Sequence, residues 1–138
     1  MAEIIVALDV ASPEQALGLV DTLPGLRWAK VGPTLFVAGG LTLIRELKDR
    51  RLKVFLDLKW HDIPHTVAGA VEAAASLGVA MATVHTLGGA AMLTAAPAAA
   101  GELGADGVDR EVGVLLGAEL APDALLQVLA HRLAGGAR

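Results

Sequence analysis

Two spacings of apolar residues alternate along the chain. Runs such as "EIIVALDV" (3–10) are nearly continuous in branched and aliphatic residues, as in a buried strand, and each gives way to a stretch with helical periodicity. After the first run, Ser12-Pro13-Glu14 supplies an N-cap, a proline at the first helical position and an early acid. A helix is therefore predicted to about Leu23, with Ala16, Leu17, Val20 and Leu23 on one face. "WAKVG" (28–32) is a second strand, and 34–50 a helix with Leu35, Leu43, Ile44 and Leu47 inward, closed by the basic "KDRR".

"LKVFLDLKW" (52–60) is a third strand and "HTVAGAVEAAASLG" (65–78) a third helix, with Gly78 placed as a C-terminal cap. "MATVHTLGG" (81–89) is the fourth strand, with Gly88-Gly89 a tight turn into an alanine-rich helix over 90–102. Four strands each followed by a helix predict a parallel α/β fold built from right-handed βαβ units. No fifth strand is legible after residue 102, and 121–138 is predicted as one amphipathic helix begun by Pro122-Asp123. The pattern leaves open whether the sheet is open or part of a closed barrel, which takes roughly 250 residues against the 138 here.

The balance of residue types narrows the partners. The chain is 54% hydrophobic and 19% charged, with a net charge of −4, so it favours a buried core and offers no basic stripe for nucleic acid. Without cysteine it has neither disulfides nor thiolate metal sites. The N-terminus lacks the basic and long apolar regions of a secretory signal, and no segment reads as a bilayer span, so a cytoplasmic location is expected.

Against this apolar background, "FLDLKWHDIPHTV" (55–67) concentrates charge. Strand alternation puts Asp57 and Lys59 on one face at the C-terminal end of the strand, where parallel α/β proteins place their sites. Asp62 follows three positions after Lys59 in the loop and can fold back toward the lysine. Carboxylates flanking an ammonium favour the charged form of each, and a further anionic substrate group beside them would cost several kcal/mol unless it lost its charge in the reaction. Such a cluster suits removal of an anion; a strand-end salt bridge is the plain alternative. Asp9 and Lys30 close the first two strands at the same rim, so three successive strands present charge there.

"IIVALDV", "AKVGPTLF", "FLDLKWHDIPHTV" and "TVHTLGG", in that order and spacing, resemble the N-terminal half of the orotidine 5′-phosphate decarboxylase family, especially its bacterial branch. The resemblance covers roughly residues 3–95, and D-L-K-x-H-D-I-P-x-T-V carries most of it. It implies a (β/α)8 TIM barrel, decarboxylation of orotidine 5′-phosphate to uridine 5′-phosphate and carbon dioxide in pyrimidine biosynthesis, and no metal or organic cofactor. It further implies Lys59 as proton donor to C6 of the pyrimidine, Asp57 against the departing carboxylate, Lys30 holding the charged network, and Asp9 with Lys30 at the ribose. Asp62, Ile63 and Thr66 would belong to the neighbouring subunit's site, which makes the enzyme a homodimer with shared sites.

The family's phosphate grip is not found. Neither the "PGIR"-like loop nor the late "GR" occurs, so residues 1–138 are expected to form a single barrel domain lacking strand 5 and the C-terminal phosphate-binding units. Residues 109–138 resemble the segment that follows the family's fifth strand. His61 and His65 invite a metal reading, but Pro64 interrupts any helix between them. His85 is expected to support the site, and Trp28 and Trp60 to serve packing or an interface. Two rivals stand beside decarboxylation: a metal-dependent phosphosugar decarboxylase or aldolase of the same superfamily, and a non-catalytic fragment.

Overall fold

The computed structural model describes residues 3–101 and the strand 113–117. The predicted helix over 121–138 lies outside the described residues. Five parallel strands, β1 (Ile5–Ala7), β2 (Trp28–Val31), β3 (Lys53–Trp60), β4 (Met81–His85) and β5 (Gly113–Gly117), pair in the order of the chain. Four helices alternate with them: α1 (Pro13–Asp21), α2 (Pro33–Asp49), α3 (Pro64–Ser76) and α4 (Gly89–Gly101). When each right-handed crossover steps the same way along the sheet, every helix falls on one face. This is the winding of a barrel wall rather than of a doubly wound sheet, and it resolves the choice that the periodicity left open.

The fifth strand corrects the sequence expectation. "GVLLG" has only three apolar residues between two glycines, a weak strand by composition. Pairing along its whole length with β4, from Met81↔Gly113 to His85↔Gly117, defines it, and that partner lies some thirty residues away. Residues 109–138 therefore contain the fifth strand instead of following it.

Alternation divides the sheet by face. Leu8, Ala29, Val31, Val54 and Leu56 are buried with Ala16 and Val20 of α1 and Leu35, Leu43, Ile44 and Leu47 of α2 in one apolar cluster. Ala82 and Val84 are buried with Val67, Val71 and Ala75 of α3 and Met92 and Ala96 of α4 in a second. The inward residues predicted for α2 are the buried ones, and of the four predicted for α1, Ala16 and Val20 are buried. Ser12 caps α1 by accepting the Gln15 amide, as its position implied.

Two glycines are needed for their backbone. Gly40 (φ 51°, ψ −146°) breaks the helical path inside α2, and Gly78 (φ 74°) ends α3. A Cβ on Gly78 would also collide with the Lys48 side chain, whose Nζ donates to the Leu77 carbonyl.

Candidate active site

The face away from the helices carries the polar side chains. Register pairs Lys30 with Phe55, so Asp57 stands two residues further along the same face, and Thr83 occupies the matching place on β4, two beyond Met81. Asp57 is at the centre. Its Oδ1 accepts from Lys59 Nζ at 2.9 Å and from Thr83 Oγ1 at 2.9 Å, while its Oδ2 accepts from Lys30 Nζ at 3.3 Å. The carboxylate is buried, and among the described residues no enclosed side-chain polar atom lacks a partner.

Burial pushes the Asp57 carboxyl up. The hydrogen bonds from Lys59 and Thr83, then the charges of Lys59 and Lys30, outweigh that and hold it below the ordinary aspartate value. Two cations thus flank one buried anion at the C-terminal rim of the strands.

Lys59 reaches this place through a distortion of β3. Leu56 pairs with Ala82 and Trp60 with Val84, so β3 advances four residues while β4 advances two. The extra length bulges at Lys59, whose φ of 49° lies in the left-handed region that side chains seldom adopt. Sequence reasoning treated Asp57 and Lys59 as simple alternating neighbours; they do meet, but across a bulge.

Asp62 forms no ion pair with Lys59 within the chain. Its Oδ1 accepts the Ile63 amide, and Lys59 pairs with Asp57 instead. Ile63 is held extended before Pro64 (φ −58°, ψ 150°), as residues preceding proline are, and α3 begins at Pro64. Asp62, Ile63 and Thr66 are all exposed, Ile63 by 65%. Asp9, also exposed, lies two residues past β1, where the ladder continues through the Leu8 amide bonded to the Lys30 carbonyl.

His61 stacks on His85, not on His65, with ring centroids 5.0 Å apart and planes 12° from parallel. His85 Nδ1 also accepts the Leu87 amide, shaping the 3-10 turn at Thr86–Gly88. Trp28 is engaged at the opposite end of the sheet, donating to Glu3 beneath the Lys53 ammonium, and Trp60 packs between the two apolar clusters. Thr83 escaped sequence reasoning. Its signal was a lone hydroxyl inside the apolar run of "MATVH".

A family profile described as "Orotidine 5'-phosphate decarboxylase / HUMPS family" matches residues 2–130. The chain belongs to this family. It is 51% identical over 113 residues to an orotidine 5′-phosphate decarboxylase of Synechococcus sp. (strain WH7803), covering 82% of this chain and 46% of the relative. It is 53% identical over 104 residues to one from Alkalilimnicola ehrlichii, covering 75% and 44%. The chain thus spans under half the length of these curated family members. Among solved structures, an orotidine 5′-phosphate decarboxylase from Lactobacillus acidophilus superposes with a TM-score of 0.78 at 34% identity, over all of this chain and 61% of that one. That likeness agrees with the barrel-type winding of the five strands.

Proposed function

We propose that this chain carries the reacting half of a site that decarboxylates orotidine 5′-phosphate to uridine 5′-phosphate. One observation carries the proposal: a buried carboxylate, Asp57, gripped by two lysine ammonium groups at the rim of a barrel-type sheet.

The C6–carboxylate bond breaks, carbon dioxide leaves, and the bonding electron pair stays on C6. Lys59 supports the developing carbanion by its charge and then gives C6 a proton from Nζ. Asp57 does two jobs. It holds Lys59 and Lys30 in place, and its negative charge disfavours the substrate carboxylate beside it, an effect relieved as the carboxylate becomes neutral carbon dioxide. At an effective dielectric of about 20, two like charges 4 Å apart repel by about 4 kcal/mol, which is enough to matter to a rate. Lys30 and Asp9 at the rim are assigned to the ribose hydroxyls.

Asp62, Ile63 and Thr66 complete the site of a second copy of the chain. Their exposure, and the lack of an ion pair between Asp62 and Lys59 of the same chain, support that assignment. The expected species is a cytoplasmic homodimer; in the described part, no helix is long and apolar enough to cross a membrane.

Both Asp57 oxygens accept from N–H or O–H donors, which makes this carboxylate a poor metal ligand and favours decarboxylation over the metal-dependent phosphosugar reactions. The deciding experiment follows orotidine 5′-phosphate turnover by ultraviolet absorbance. It uses the purified chain alone and mixed with a polypeptide carrying the remaining part of a family member's barrel, with and without a chelator. Turnover that persists in chelator is expected. No turnover in either arrangement, or turnover abolished by chelation, overturns the proposal.

A further inference from the structure

Thr83 is one of two buried polar or charged residues in the described part of the chain, and the other is Asp57, to which it is bonded. Its hydroxyl makes two hydrogen bonds whose directions are forced. The Lys59 main-chain N–H can only donate, so Thr83 Oγ1 accepts it at 2.9 Å; the hydroxyl's single proton is then left for Asp57 Oδ1, also at 2.9 Å. Asp57 Oδ1 in turn accepts from Lys59 Nζ. The bonds form a closed ring that leaves Lys59 by its amide, passes through Thr83 and Asp57, and returns to Lys59 by its ammonium.

The ring sits at the bulge. There the Lys59 amide is bonded by a side chain of the neighbouring strand, and the backbone is held at the unfavourable φ of 49°. Residues kept in sparsely populated backbone conformations persist only when their surroundings over-determine them. Thr83 fixes Lys59 at its backbone and, through Asp57, at its charged end.

We infer that Thr83 is a positioning residue: it sets the placement of the Lys59 ammonium by bonding the Lys59 amide and the Asp57 carboxylate at once. Its effect on turnover rests on the decarboxylation proposed above. Its effect on Asp57 and on the Lys59 amide does not.

The test compares Thr83→Val, which keeps shape and strand preference but removes both bonds, with Thr83→Ser, which keeps the hydroxyl. Thr83→Val is expected to lower kcat by about 10- to 100-fold with KM changed by less than about threefold, since small misplacements of a reacting group cost rate. It should also move the acid limb of the pH profile to higher pH, because Asp57 loses a donor. Thr83→Ser should restore both. Independently of any activity, 13C NMR titration should show the Asp57 carboxyl ionising at higher pH in Thr83→Val than in the unmutated chain. In the unmutated chain, hydrogen exchange should find the Lys59 amide protected although its side chain is half exposed. Wild-type kcat and Asp57 titration in Thr83→Val, or an unprotected Lys59 amide, overturn the inference. If the unmutated chain turns over no substrate, the decarboxylation proposal fails, and the carboxyl titration and amide exchange still decide the role of Thr83.

Discussion

Lys30 and Asp57 meet across two paired strands, Nζ to Oδ2 at 3.3 Å, although 27 residues separate them in the chain. Lys30 is in register with Phe55, so the carboxylate two residues on is the first acid its side chain can reach on that face. Removing Asp57 leaves Lys30 partly buried without this partner, which usually costs more than the pair contributes.

Asp57→Asn should therefore reduce turnover by at least about a hundredfold, because two cations lose the anion that orders them. Steady-state kinetics with a circular-dichroism check of folding measures this, and near-normal kcat would remove Asp57 from the mechanism.

Lys59→Ala should eliminate turnover while leaving the fold intact. A positioned proton donor contributes about 10² to 10⁴ in rate. The Lys59 side chain is half exposed, so its loss opens no cavity in the core. Retention of more than a few per cent of activity would show that the proton comes from elsewhere.

Stability should fall on the acid side. Asp57 has a lower pKa folded than unfolded, so its contribution is present above the ordinary aspartate value of about 4 and disappears as pH falls through the folded value. Urea unfolding across that range should show a slope that Asp57→Asn flattens; identical slopes in the two proteins would contradict the depressed value.

Shared sites predict complementation. Asp62→Ala and Lys59→Ala proteins, each inactive alone, should recover about a quarter of native sites' activity when subunits exchange at random, since one heterodimer site in each pair escapes both changes and half the dimers are mixed. Absence of recovery after verified exchange would place Asp62 in its own chain's site or in none.

Leu47→Ala tests the wall behind the site. Leu47 is fully buried in the cluster between α2 and the sheet, and such truncations cost about 2–5 kcal/mol. The denaturation midpoint should drop accordingly while KM stays near its original value.

Local spacing was enough to place the first four strands and the helices between them, because apolar periodicity and the Ser12 and Gly78 caps depend only on near neighbours. The grouping of Asp57 with Lys59 was legible for the same reason: both belong to one strand. Strand β5 was not, since "GVLLG" acquires its identity from pairing with β4. That Asp62 takes the Ile63 amide as its partner and Lys59 takes Asp57 was not legible either, since spacing does not fix which partner a loop carboxylate finds.

The sequence by itself thus determined the order of elements, the apolar faces and the motif that marks the family, all consequences of residue type and short-range periodicity. Only the tertiary structure decided that the strands lie in chain order with barrel-type winding, that Lys30 reaches Asp57, and that Thr83 closes a ring around Lys59. Those features are hydrogen bonds between residues 24 to 27 positions apart. Their geometry is set by strand register, which no local pattern encodes.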